Sequence, residues 1–195
     1  MATKDEEQAV LKLKDVLDYV TIVGSEKYNL ELSKKRNPQV PHEMKNIVII
    51  GASGHGSVVL DIIEKEGKYN VVGFIDTYKG KARLKNGYEI LGGEDELPYL
   101  MEKFNFSAGI VAIGDNWIRK KLADRISAIV PNFRFVSTIH PQAIIGRDVR
   151  IGKGTVIMPG AIINSNSFIG NFCIINTNAS LDHDGVMGGY SSLAP

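Results

Sequence analysis

From Ile139 to Leu193 the chain reads IHPQAI IGRDVR IGKGTV IMPGAI INSNSF IGNFCI INTNAS LDHDGV MGGYSS L. An aliphatic residue opens every block of six without a miss: Ile139, Ile145, Ile151, Ile157, Ile163, Ile169, Ile175, Leu181, Met187 and Leu193. Four residues after most of them stands a small or slender side chain: Thr155, Ala161, Ser167, Cys173, Ala179, Gly185 and Ser191. A helix face repeats at about 3.6 residues and a half-buried strand at about two, so neither keeps this phase. A coil that stacks the aliphatic residues of successive turns does keep it, and the repeat predicts a parallel β-helix over 139–195. Gly146, Gly152, Gly170 and Gly188 each follow a repeat aliphatic, where the chain is expected to turn a corner using glycine's backbone freedom.

Upstream of the repeats the pattern is of another kind. Asn46 to Ile50 is a short apolar run that enters GASGHG at Gly51–Gly56, and VVLDIIEKEG follows with helical periodicity. Val71 to Ile75 reads as a second strand ending at Asp76, Gly109 to Ile113 as a third ending at Gly114, and Asn116 to Ile129 as another helix. Strands alternating with helices imply parallel pairing, because parallel strands need long crossovers. A Rossmann-like α/β domain over 46–138 is expected, followed by the β-helix over 139–195. Residues 1–45 precede both. Within them Val10, Leu13, Leu17 and Val20 are spaced as on one face of a helix over Glu6–Val20, and SKKRNPQVPHEMK, with two prolines and a basic cluster, reads as a linker.

Composition narrows the class of partner. With 23 Lys and Arg against 22 Asp and Glu, the net charge of +1 supplies no field for nucleic acid or an anionic membrane. Any anionic ligand must be held locally. The single cysteine, Cys173, rules out an intramolecular disulfide and a multi-cysteine metal site, and reads as buried filler in a reducing compartment. The opening MATKDEEQAV lacks the basic flank and apolar stretch of a secretory signal, and no run is long enough to span a membrane, so a cytoplasmic protein is expected.

Two places carry chemistry. The GASGHG turn departs from GxGxxG, but amides at a helix start attract phosphate, and Asp76 stands where an acidic residue would meet a ribose. Those features admit a nucleotide-sugar, a nicotinamide dinucleotide, or a structural turn without ligand. Among the four histidines, His183 interrupts the repeat inside SLDHDG between Asp182 and Asp184. An imidazole beside a carboxylate can be oriented by it and accept a proton near neutral pH, although a solvated polar corner fits the same residues. A β-helical zinc site would need three histidines with two close together; His140 and His183 lie far apart and no histidine follows, so no metal is expected.

GASGHG, FIDTYKG, AIGDNWIRKK and INTNASLDHD, in that order, resemble the sialic-acid O-acetyltransferase and nucleotide-sugar N-acetyltransferase family over Asn46 to Pro195. The likeness is greatest to enzymes that acetylate UDP-linked 4-amino-sugars in bacterial glycan synthesis. It implies a Rossmann-like nucleotide-sugar domain, a left-handed β-helix and a homotrimer with active sites between subunits. It also implies acetyl-CoA as co-substrate, with His183 as general base, Asp184 as its acidic companion and Asn176 as an active-site asparagine. Ser53, Gly54, His55, Asp76, Lys79, Gly114 and Asp115 match the blocks that hold nucleotide and sugar. O-acetylation of sialic acid or another sugar, or noncatalytic binding of a nucleotide-sugar, are the alternatives within the same architecture. The sequence departs from its relatives at Thr77, where many carry a second aspartate, and at Ser192, where they often carry a histidine. The family also continues with further coils beyond the position of Pro195, so an incomplete β-helix is expected here.

Overall fold

A strand at the centre of a parallel sheet is covered on both faces, and β1 (Lys45–Ile50) ends in four consecutive buried residues. The computed structural model describes residues 44–80 and 83–195. The expected helix over Glu6–Val20 and the linker up to Glu43 lie outside the described residues.

Around β1 the chain adds helix α1 (Gly54–Glu66), β2 (Tyr69–Ile75), a hairpin of β3 (Leu84–Lys85) and β4 (Tyr88–Gly92), a short 3-10 turn (Glu94–Glu96), α2 (Leu97–Phe104), β5 (Ala108–Val111), α3 (Asn116–Ile129) and β6 (Arg134–Phe135). The sheet order is β3-β4-β2-β1-β5-β6, parallel throughout except for the hairpin. That hairpin turns on Asn86 and Gly87, both at positive φ (51° and 85°), as an Asn-Gly turn between antiparallel strands demands. Helix starts and stops follow local chemistry. The Asp115 side chain accepts from the Ile118 amide at 2.8 Å and caps α3, while Gly67 at φ 67° closes α1.

The hexapeptide blocks form the predicted coil. Each contributes one two-residue strand, β7 (Thr138–Ile139), β8 (Ile144–Ile145), β9 (Arg150–Ile151), β10 (Val156–Ile157), β11 (Ile162–Ile163), β12 (Phe168–Ile169), β13 (Ile174–Ile175), β14 (Ser180–Leu181), β15 (Val186–Met187) and β16 (Ser192–Leu193). They assort into three parallel sheets, β7-β10-β13-β16, β8-β11-β14 and β9-β12-β15. Ile139, Ile157, Ile175 and Leu193 are thereby stacked in register, as are Ile145, Ile163 and Leu181, and Ile151, Ile169 and Met187. Ile157, Ile163, Ile169 and Ile175 are fully buried and, with Ala161, Cys173 and Ala179, make the interior of the coil.

The corners differ from expectation in one respect. The left-handed backbone falls on the third residue after each aliphatic from Ile145 to Met187: Asp148, Gly154, Gly160, Asn166, Phe172, Asn178, Asp184 and Tyr190 all have φ between 56° and 71°. Gly188 does not adopt it, and neither do Gly146, Gly152 and Gly170. These last three are small because coils touch there: a Cβ on Gly152 would stand 2.6 Å from the Asn171 amide nitrogen, and one on Gly146 2.6 Å from that of Ser165. Gly152→Ala is therefore expected to wedge neighbouring coils apart and cost about 1–3 kcal/mol. A lowered urea midpoint at unchanged slope is the expected readout, and an unaltered midpoint would contradict this account of the corner.

The sheet and the coil share apolar contacts. Val59, Leu60, Ile62 and Ile63 of α1 pack with Val156, Met158 and Ile174 on the outer side of the β7-β10-β13-β16 face. On the opposite side of the sheet, Phe172 joins Phe133 and Phe135, and Tyr190 stacks on Phe172 at 4.9 Å with the rings 5° apart. The other two coil faces carry apolar side chains that no described element covers. Ile144 and Ile162 stand exposed on one, and Phe168 and Val186 on the other. No helix among the described residues is long and apolar enough to cross a membrane.

Candidate functional site

The C-terminal ends of β1, β2, β4 and β5 open onto one cavity of about 670 Å³, the position where parallel α/β sheets take ligands. Gly51, at φ 109°, turns the chain out of β1, and Gly56 lets the helix approach so closely that a Cβ there would stand 2.3 Å from the Gly51 carbonyl oxygen. No side chain caps α1, so the amides of its first turn lack intrahelical partners and face outward at the positive end of the helix. Nothing stands within 4 Å of where a Cβ on Gly54 would be, leaving that backbone approachable.

Asp76 and Lys79 button the loop after β2 onto this turn. The Ala52 amide donates to Asp76 Oδ2 at 2.9 Å, the Tyr78 amide to Asp76 Oδ1 at 2.9 Å, and Lys79 Nζ donates to the Ala52 carbonyl at 2.9 Å. Both Asp76 oxygens thus hold backbone, and each keeps a lone pair for a further donor. Of the residues matched to nucleotide or sugar, Asp76 alone lines the cavity; Ser53, Lys79, Gly114 and Asp115 occupy the turns at the strand ends, and Gly54 and His55 open α1. Burial and, secondarily, the Arg119 charge lower the His55 pKa, and its Nε2 is buried without a hydrogen-bond partner among the described residues.

The remaining wall was not legible residue by residue. Tyr78, Glu94 and Ile113 line the cavity from strand ends, and Trp117, Ile118, Lys121, Leu122 and Arg125 from α3. These five are one helix face by spacing, and Trp117 is the only tryptophan of the chain, which is the signal the sequence offered.

One buried cation joins the loop after β5 to the coil. Arg119, 1% exposed, donates from Nε to the Phe172 carbonyl at 2.8 Å, from Nη1 to the carbonyls of Ile113 and Gly114 at 2.9 and 3.0 Å, and from Nη2 to Asn116 Oδ1 at 2.6 Å and the Tyr190 carbonyl at 3.2 Å. Burial lowers its pKa, yet among the described residues no carboxylate forms an ion pair with it.

On the coil, the corner after β14 carries the second cluster. His183 Nδ1 lies 2.7 Å from Asp184 Oδ2. The His183 amide donates to Asp182 Oδ1 at 2.8 Å, and the Ser167 hydroxyl donates to the Asp182 carbonyl at 2.9 Å, fixing the turn from the coil below. Asp184 takes its positive φ and ties its own amide to the Ser165 carbonyl at 3.0 Å. Hydrogen bonding to Asp184, reinforced by the charges of Asp182 and Asp184, raises the His183 pKa above 6.5; the same bond lowers that of Asp184. With Nδ1–H donated to the carboxylate, the exposed Nε2 is left as the basic atom. Asn176 sits at the preceding corner, its Nδ2 donating to the Leu193 carbonyl at 2.8 Å. It and His183 flank β14 from opposite edges of one coil face, so the chain does not join them in one hydrogen-bonded cluster.

A Rossmann-like sheet with a ligand cavity, joined to a hexapeptide coil bearing a histidine–carboxylate pair, defines the class of hexapeptide-repeat transferases. Residues 46–126 match the PglD N-terminal domain and residues 142–177 the bacterial transferase hexapeptide (six repeats). The chain belongs to the sialic-acid O-acetyltransferase and nucleotide-sugar N-acetyltransferase family, and its coil is the left-handed β-helix of that family. Among curated relatives, the UDP-N-acetylbacillosamine N-acetyltransferase of Bacillus subtilis is 36% identical over 119 residues, covering 59% of this chain and 52% of that protein. The GDP-perosamine N-acetyltransferase of Escherichia coli O157:H7 is 30% identical over 155 residues, covering 75% and 66%. The chain thus spans from about half to about two thirds of the length of these relatives. Among solved structures, a histidine-to-alanine mutant of the Caulobacter crescentus GDP-perosamine N-acetyltransferase, in complex with CoA and GDP-perosamine, superposes with a TM-score of 0.69 at 34% identity, covering 76% of this chain and 68% of that one.

Proposed function

We propose that this protein transfers the acetyl group of acetyl-CoA to the amine of a nucleotide-linked amino-sugar, with residues 46–138 holding the nucleotide and residues 139–195 carrying the transfer. The observation that carries the reading is the 2.7 Å contact between His183 Nδ1 and Asp184 Oδ2 at an exposed coil corner. An amine is nucleophilic only with its lone pair free. His183 Nε2 accepts the amine proton as the amine attacks the thioester carbonyl, and returns it to the departing CoA sulfur when the tetrahedral intermediate collapses. Asp184 keeps the imidazole in the tautomer that leaves Nε2 basic and stabilises the imidazolium. Asn176 is assigned to the same site from a neighbouring copy, since within one chain it stands at the other edge of the face. Exposed Ile144, Ile162, Phe168 and Val186 favour a homotrimer packed on those two faces, which light scattering would report. The buried thiol of Cys173 suits a reducing, cytoplasmic setting.

The base sets the sign of the pH dependence. His183 works only when neutral, so the acetylation rate rises with pH through the raised His183 pKa, above 6.5, and then levels off. Asp184→Asn removes the largest cause of that elevation, so the inflection moves to lower pH while the plateau falls. An inflection that stays in place would remove Asp184 from this role.

A further inference from the structure

Resting on the nucleotide-linked substrate proposed above, we infer that Glu94 selects the base, and that the base is guanine. Glu94 opens the short turn after β4, is 6% exposed, and lines the cavity together with Trp117, Ile118 and Leu122 of α3. The Thr77 hydroxyl donates to its Oε2, which fixes the carboxylate and occupies part of one oxygen. Arg125, one of two cations in the same wall, is hydrogen-bonded to Asp95 at 2.7 Å, and Glu94 adds only a smaller attraction through space. Trp117 lines the same cavity and is 63% exposed, with Lys121 Nζ over its ring, 3.5 Å from the centroid. The cavity thus combines an aromatic ring with a carboxylate whose edge is held in place.

That edge discriminates by chemistry. An ionised carboxylate accepts and cannot donate, and two parallel N–H bonds suit it best. Guanine offers N1–H and N2–H side by side. Uracil presents one N–H between two carbonyl oxygens, both repelled by the carboxylate; adenine and cytosine pair one donor with a ring acceptor. A planar base on the Trp117 wall with its donor edge on Glu94 is therefore a guanine. The acceptor inferred here is GDP-linked, where the sequence resemblance implies a UDP-linked one. Thr77, which stands where relatives have aspartate, acts here as a positioning residue for Glu94.

Titration calorimetry of the full chain with GDP and with UDP tests this. The expected result is GDP binding at least about 10-fold tighter than UDP, with Glu94→Gln lowering GDP affinity by roughly 10- to 100-fold and UDP affinity by less than about threefold. Thr77→Val should reduce the GDP-to-UDP ratio and Thr77→Ser restore it, a change a purely structural role would not produce. Equal or tighter UDP binding, binding of neither nucleotide, or an equal loss for both in Glu94→Gln would overturn the inference. Acetylation of a UDP-linked amino-sugar without preference for GDP would sink it while leaving the proposed function intact. Selective GDP binding without transfer to any amino-sugar would do the reverse.

Discussion

Replacing His183 with alanine is expected to lower the acetylation rate by about 10²- to 10⁴-fold, the usual contribution of a positioned general base. The loss should fall on kcat, with KM for the sugar little changed, because the proposed roles put the imidazole at the transfer step and the nucleotide on the sheet domain. The unfolding midpoint should stay in place, since the His183 side chain is 72% exposed and its hydrogen bond is to a similarly exposed Asp184. The corner survives the substitution because its backbone is tied by the Ser165 carbonyl and the Ser167 hydroxyl, neither of which involves the ring. Steady-state kinetics of the folded variant check this, and a loss smaller than about threefold would remove His183 from the reaction.

The second large effect concerns stability. Arg119→Met should destabilise the chain by about 3–5 kcal/mol, because it keeps the stem but strips the carbonyls of Phe172, Ile113, Gly114 and Tyr190 of their donor in a buried place. These acceptors belong to a loop at the sheet edge and to two coil corners stacked one turn apart. Arg119→Lys should recover only part of the loss, since one ammonium cannot span the positions a planar guanidinium reaches. Chemical denaturation of the wild type and both variants gives the comparison. A Met variant within about 1 kcal/mol of wild type would show that the apolar contacts of Phe172 and Tyr190 hold the junction unaided.

Much of this architecture was readable before any coordinates. The six-residue phase of Ile139 to Leu193 survives in every coil because the interior admits only aliphatic side chains at those points, so core packing writes itself into the sequence. The αL corners were legible only in part: Gly154, Gly160, Asn166 and Asn178 advertise positive φ, whereas Phe172 and Tyr190 hide it, being held there by ring stacking and Arg119. In the sheet domain β3, β4, α2 and β6 escaped notice. The strands are short, and α2 has eight residues, too few for periodicity to speak, although Asn86-Gly87 marked the hairpin. The cavity wall shows the deeper limit. Glu94 is distant in sequence from Trp117, and only the parallel sheet, by bringing its strand ends to one edge, sets them in the lining of one cavity.

The most direct measurement is to incubate the protein with acetyl-CoA and a panel of GDP- and UDP-linked amino-sugars, following free thiol and the mass of the sugar. The account predicts one acetyl group gained on the sugar nitrogen for each CoA released, with His183→Ala silent under the same conditions. Thiol release without an acetylated sugar, or transfer that persists in His183→Ala, would contradict it.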